Sequence, residues 1–131
     1  MSQENVDLTR RAFQAFDNRD LDALLAMLDD RVEAFPILAG MEGGYRGHDG
    51  VRRWWTSLIG TFPDFSAEVL DLRDGGDLTV ATLRLRGHGA GSDTPVDTMA
   101  WHVSRFRGGK CVGWRVYMSE REALEAVGLS G

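Results

Sequence analysis

Few side chains in this sequence can move a proton or hold an ion, and they are scattered. His102 lies between Trp101 and Val103 in an alternating stretch. Its imidazole is therefore either a core group bonded to a neighbouring carbonyl or hydroxyl, or a functional group facing a pocket. Glu33 is the only carboxylate of the first strand-like segment and a candidate base, unless it points outward and pairs with an arginine. Asp97 opens the strand that carries His102, where it faces a cavity or sits exposed at the strand end. His48 stands among polar residues at a helix start and His88 in a glycine-rich loop. The three histidines fall on separate elements without a carboxylate set, so the spacing offers no metal site. Cys111 is the only cysteine, which excludes an internal disulfide and a cysteine-based metal cluster. With neither a helix N-terminus nor a basic partner beside it, its thiol reads as structural.

The elements that must position these groups follow from apolar periodicity. Val6, Ala12, Phe13 and Phe16 share one helical face, and Leu21, Leu24, Leu25 and Leu28 repeat at i, i+3, i+4, i+7 after a start near Asn18 or Asp20. Arg31 to Leu38 reads as a short strand broken by Pro36, and Gly40 to Gly47 as a glycine-rich loop carrying Tyr45. A third helix is predicted from His48 to Thr61, with Asp49 suiting its first turn and Pro63 ending it. Strands follow at Ser66–Leu72, Leu78–Arg86 and Pro95–Arg107, separated by the Gly75-Gly76-Asp77 turn and the Gly87–Gly91 loop. Gly108-Gly109 makes a tight hairpin into a closing strand, where Val112, Trp114 and Val116 alternate with Gly113, Arg115 and Tyr117. Ser119 and Glu122 then form an S-x-x-E capping box, and Gly128 supplies a helix C-terminus.

Helices first and antiparallel strands after them predict a single α+β domain over residues 1–131, with the helices on one face of a sheet. Strongly curved, such a sheet makes a cone with an open mouth, its helices on the concave face. Trp54, Trp55, Leu58, Phe62, Trp114 and Met118 are many large apolar groups for a domain of this length. They are ordinary core, or in part an aromatic wall suited to flat or hydrocarbon ligands.

The 15 basic and 20 acidic residues give a net charge of −5, and the arginines are interrupted by acids. That distribution carries no footprint for nucleic acid or anionic lipid. No apolar run approaches the roughly 20 residues that span a bilayer. The start of the chain lacks a basic segment followed by an apolar run, so the expected location is the cytoplasm. The glycine-rich segments lack phosphate-binding spacings and read as turns.

Several short motifs, taken in order, resemble the SnoaL-like group of the nuclear transport factor 2-like superfamily over nearly the whole length. They are Asn18-Arg19-Asp20-Leu21-Asp22, Tyr45-Arg46-Gly47-His48-Asp49-Gly50-Val51, Phe62-Pro63-Asp64-Phe65 and Gly109-Lys110. The stretch from Gly113 to Tyr117 is also similar to limonene epoxide hydrolase. The resemblance implies a cystatin-like α+β roll that hosts isomerases, cyclases, dehydratases, hydrolases and binding modules. It also implies where catalytic groups would stand. Phe35, before Pro36, occupies the position of the ketosteroid isomerase base. Leu83 and Leu85 occupy the Arg-x-Asp pair of the epoxide hydrolase, and Val116 its last Asp and the cyclase acid. His102 aligns with the protonated Asp of the isomerase oxyanion hole, where an imidazole can donate to a carbonyl or enolate oxygen or act as a general acid. Tyr45 would sit on a loop bordering the pocket mouth, its hydroxyl available to a ligand or engaged in packing.

Three functions remain open on this reading. The first is a cofactor-independent isomerase or cyclase that transfers a proton on a hydrophobic carbonyl compound. His102 would act with Tyr45 or Glu33, and Phe35, Trp55, Leu83, Leu85, Trp114, Val116 and Met118 would contact the ligand. The second is a non-catalytic binder of a small hydrophobic molecule. The third is an interaction module, and a homodimer through the outer sheet face is expected in every case.

Overall fold

In a computed structural model of the chain, the structure describes residues 2–36, 44–90 and 95–128. The expected strand end at Leu38, residues 40–43 of the Gly40–Gly47 loop and Gly91 lie outside the described residues.

Two helices come first, α1 (Ser2–Asp17) and α2 (Leu21–Ala26). The turn between them is fixed locally. Asp20 caps α2 by accepting from the Ala23 N–H at 3.1 Å. Arg19 holds a left-handed φ of 57°. Its guanidinium pins that conformation by donating to the carbonyls of Phe16 (3.1 Å), Pro63 (3.1 Å) and Phe65 (2.7 Å). These bonds tie the α1–α2 turn to the segment leading into the sheet. Arg19→Ala is expected to cost about 1–2 kcal/mol in urea unfolding, since the three bonds go and the backbone strain stays. Arg19→Gly should cost less, because glycine accepts that φ freely.

The chain continues through β1 (Leu28–Phe35), β2 (Tyr45–Arg46), α3 (Gly47–Thr61), β3 (Ser66–Asp74), β4 (Leu78–His88), β5 (Pro95–Arg107), β6 (Lys110–Tyr117) and α4 (Glu120–Ala126). The predicted second helix is cut short at Ala26, and Leu28 begins β1 instead. The Ser119 hydroxyl accepts from the Glu122 N–H at 3.3 Å, so the capping serine does start α4.

The strands form one sheet in the order β2-β1-β6-β5-β4-β3. Every pairing is antiparallel except β1–β6, which is parallel. These two strands are joined by a long crossover, so their relative direction is not dictated by a hairpin. Helices α1 and α3 pack on β1, β3 and β4, while α4 packs on β5 and β6. The α4 contact lies on the opposite face, where Ala123 meets Leu78, Val80 and Val103. Two buried clusters lie between the sheet and α1–α3, one around Val32, Val51 and Trp114 and one around Phe16, Leu58 and Leu83.

Strand parity sets which side chains reach that layer. On β5 the even-numbered residues face the helices and the odd-numbered ones face away. On β1 the same holds: Val32 and Ala34 are fully buried. Glu33 and Phe35 therefore point the other way. On β6 a bulge breaks the simple alternation. Arg105 pairs with Gly113 but Phe106 pairs with Cys111, which leaves Val112 as the extra residue and brings Cys111 to the inner side. The expected inward Val112 is thus replaced by Cys111.

Candidate functional site

Between the sheet and the first helices lies a cavity of about 150 Å³. β5 contributes Val96, Thr98, His102, Ser104 and Phe106, all of one parity. β4 adds Leu83 and Leu85, and β6 adds Cys111, Trp114 and Val116. The helical side is closed by Leu8, Phe13 and Phe16 of α1 with Trp54 and Leu58 of α3. No carboxylate, amine, guanidinium or phenol lines the cavity among the described residues.

His102 is the exception in an apolar wall. Its ring meets the edge of Phe13 at 5.1 Å and stacks on Trp114 at 6.0 Å with 22° between planes. Nδ1 lies 3.2 Å from the Ser104 hydroxyl, two residues along the same strand face. Nε2 has no partner among the described residues and is left to the cavity. Loss of solvation pushes the imidazole down from 6.5 to about 4, only partly offset by its own backbone carbonyl, so the ring is neutral at physiological pH. An imidazole nitrogen is a far better acceptor than an alcohol oxygen. In the tautomer in which the Ser104 hydroxyl donates to Nδ1, the single ring proton sits on Nε2, facing the cavity.

The other polar groups of the wall are already engaged. Thr9 Oγ1 donates to the Asn5 carbonyl at 2.9 Å and lies 2.9 Å from Thr79 Oγ1. Thr98 Oγ1 donates to the Met99 carbonyl at 3.4 Å. The Cys111 thiol donates to the Gly113 carbonyl at 3.4 Å, and burial raises it to about 11, so it is an inert part of the wall. His102 Nε2 and the indole N–H groups of Trp54 and Trp114 have no hydrogen-bond partner among the described residues.

Of the residues expected at the site, the cavity brings together His102, Leu83, Leu85, Trp114 and Val116. The others stand elsewhere. Glu33 points outward and pairs with Arg46 at 3.4 Å. Phe35 points outward too, under the Arg115 guanidinium at 4.2 Å. Tyr45 packs against the first buried cluster and is absent from the cavity wall. Trp55 packs edge-on to Phe16 at 5.4 Å, while its neighbour Trp54 takes the wall position. Met118 is 51% exposed on the outer face. Asp97, also outward, receives two bonds from Arg84 at 3.0 and 2.9 Å, which hold its carboxyl below the usual range. His48 reaches the Leu28 carbonyl at 3.0 Å. His88 closes onto Asp64 through its ring, 2.9 Å, and its N–H, 2.7 Å, and lowers that carboxyl. Both of these histidines brace the frame. Among the described residues no group of His, Cys, Asp and Glu could hold a metal ion.

Sequence reading missed Ser104 and the α1 side of the wall. Ser104 carried a signal, since it lies two residues from His102 and must share its strand face.

The SnoaL-like domain profile matches residues 9–114. The chain belongs to the SnoaL-like domain family. No curated protein shows significant sequence similarity to this SnoaL-like chain. Solved structures similar to it include a nuclear transport factor 2-like protein of unknown function from Burkholderia pseudomallei, with 21% identity, a TM-score of 0.79, and 95% of this chain and 97% of that chain covered. A candidate SnoaL-like polyketide cyclase from Jannaschia is 16% identical, with a TM-score of 0.79 and coverages of 99% and 95%. A hypothetical protein from Catenulispora acidiphila with a ketosteroid isomerase-like fold, in complex with trimethylamine, is 17% identical, with a TM-score of 0.76 and coverages of 94% and 93%. At these identities the likeness is one of fold. No described helix of the SnoaL-like chain is long and apolar enough to cross a membrane.

Proposed function

We propose that the protein is a small-molecule enzyme of the isomerase or cyclase kind, acting without a cofactor on a hydrophobic carbonyl compound. The observation that carries this reading is His102: a neutral imidazole with Ser104 on Nδ1 and a free Nε2 facing an otherwise apolar cavity. An N–H fixed in an apolar wall stabilises charge that develops on a carbonyl oxygen more strongly than water does. The ketone oxygen accepts from Nε2–H, and the enolate forms as a carbon-bound proton leaves. The described wall supplies no carboxylate base, so that proton goes to water or to a basic group of the substrate itself. Ring closure from an already enolised chain is a second form of the same chemistry, in keeping with the fold likeness to a candidate polyketide cyclase.

The test is deuterium incorporation into the methyl group of acetophenone in D₂O, followed by NMR. The reading expects faster exchange with the protein than in buffer, saturating with ketone. Binding without any acceleration would instead support the second reading, a non-catalytic binder, which the apolar Leu83, Leu85 and Val116 at the wall positions favour.

We also propose a homodimer through the outer sheet face. Leu70, Met99 and Met118 are exposed there at 48%, 37% and 51%. The buried Trp101 Nε1–H beside them lacks an acceptor among the described residues. The Arg84–Asp97 and Arg86–Glu68 pairs place both signs of charge on the same face, which suits a two-fold partner. Light scattering at micromolar concentration should give twice the chain mass, and Met118→Glu should give the monomer. A monomeric wild type at that concentration rules the dimer out.

A further inference from the structure

We propose that the cavity selects a single-ring, flat ligand bearing a hydrogen-bond acceptor, and excludes polycyclic compounds. This deepens the assignment above and rests on its reading of His102 as the donor. Size comes first. An apolar cavity of about 150 Å³ is the size that takes one benzene-like ring, or about six to ten heavy atoms. The wall resists expansion because its aromatic groups brace one another. Trp54 packs on Trp114 at 5.3 Å and on Phe16 at 6.0 Å, and Phe16 packs on Phe65 at 5.9 Å. Admitting a second and third ring means breaking that set of contacts in a close-packed interior.

Polarity sets the second requirement. Thr9, Thr98 and Cys111 are engaged by their own neighbours, so the polar atoms left to a ligand are His102 Nε2 and the indole N–H groups of Trp54 and Trp114, with no charged group among the described residues. A ligand with an acceptor beside His102 satisfies its Nε2–H. A ligand with none leaves it unpaired, and a carboxylate or ammonium group enters without a counter-charge. The flat ring of such a ligand meets aromatic faces and edges on at least two sides, from Phe13 and Trp114.

Three probes separate these requirements in titrations of the uniformly ¹⁵N-labelled protein. Acetophenone has the ring and the acceptor. Isopropylbenzene has the same ring and heavy-atom count without the acceptor. Progesterone has the acceptor on a four-ring body. The expected result is binding of acetophenone with shifts at the Trp114 indole, isopropylbenzene weaker by about fivefold to tenfold, and no binding of progesterone. His102→Leu should bind acetophenone and isopropylbenzene equally. Progesterone binding in the cavity overturns the size limit. Equal wild-type affinity for the two small probes, or failure of acetophenone to bind, overturns the acceptor requirement. The outcomes stay distinguishable from those of the functional assignment. Selective binding without deuterium exchange sinks catalysis and leaves the selectivity, whereas exchange accompanied by progesterone binding does the reverse.

Discussion

His102→Leu is expected to slow protein-dependent deuterium exchange of acetophenone by about a hundredfold or more, the range seen when a single oxyanion donor is removed. Leucine is the informative replacement because it fills much of the imidazole's volume and suits the surrounding Phe13 and Trp114. The fold should therefore survive, and the loss in rate should exceed the roughly fivefold to tenfold loss in ketone affinity. Ser104→Ala should lose far less, since it leaves Nε2 in place and only releases the tautomer that the hydroxyl selects. Full exchange activity in His102→Leu would remove the imidazole from the chemistry altogether.

The second large effect is on stability as pH falls. His102 ionises near 6.5 when unfolded and at about 4 when folded, because burial disfavours the charged ring. Between those values the unfolded chain binds a proton that the folded chain does not, so stability falls as pH falls from about 6.5 to about 4. Below the folded value both states are protonated and the contribution no longer changes. The full loss is about 3 kcal/mol, less any part recovered if water enters the cavity beside the ring. Asp64 and Asp97, whose folded values are also depressed by their hydrogen-bond partners, act in the same direction, their stabilising contributions being lost as pH falls further, through those values. Denaturant unfolding of wild type and His102→Leu at a series of pH values isolates the histidine. The difference between the two curves should change by about 3 kcal/mol across that window. A flat difference would mean the ring is solvated.

The sequence made the strand that carries the site legible. The alternation of β5 placed His102 on a half-buried strand, and the capping serine of α4 stood in plain view at Ser119. Parity relative to the cavity was harder. Phe35 came under suspicion through the position before Pro36 and Glu33 as the only carboxylate of its segment, yet the buried pair on that strand is Val32 and Ala34. A slip of one residue inverts every side chain of a strand, and a short segment interrupted by proline has too few repeats to fix it. The bulge at Val112 was invisible for a related reason. It exists only in the pairing with β5, and nothing in the β6 residues alone announces an extra position. The choice between Trp54 and Trp55 turns on helix rotation. Adjacent helical residues point about 100° apart, and two tryptophans in a row satisfy either orientation. Tyr45 was placed near the pocket by likeness of motif, whereas its ring is used in packing beside Val32 and Val51.

These corrections narrow the chemistry. With Glu33, Asp97 and Tyr45 away from the cavity, the site's one titratable group that is not inert is a neutral imidazole beside one hydroxyl. A neutral imidazole is a weak base and a good hydrogen-bond donor, so its role is to hold an oxygen rather than to strip a proton from carbon.

The most direct test of that role is the ¹⁵N NMR signature of the His102 ring, recorded with and without acetophenone. The account predicts a neutral ring protonated at Nε2 from pH 5 to pH 8, as follows from a folded value of about 4, with the Nε2 signal moving when the ketone binds. A ring that is charged at pH 6, protonated at Nδ1, or indifferent to bound ketone would contradict it.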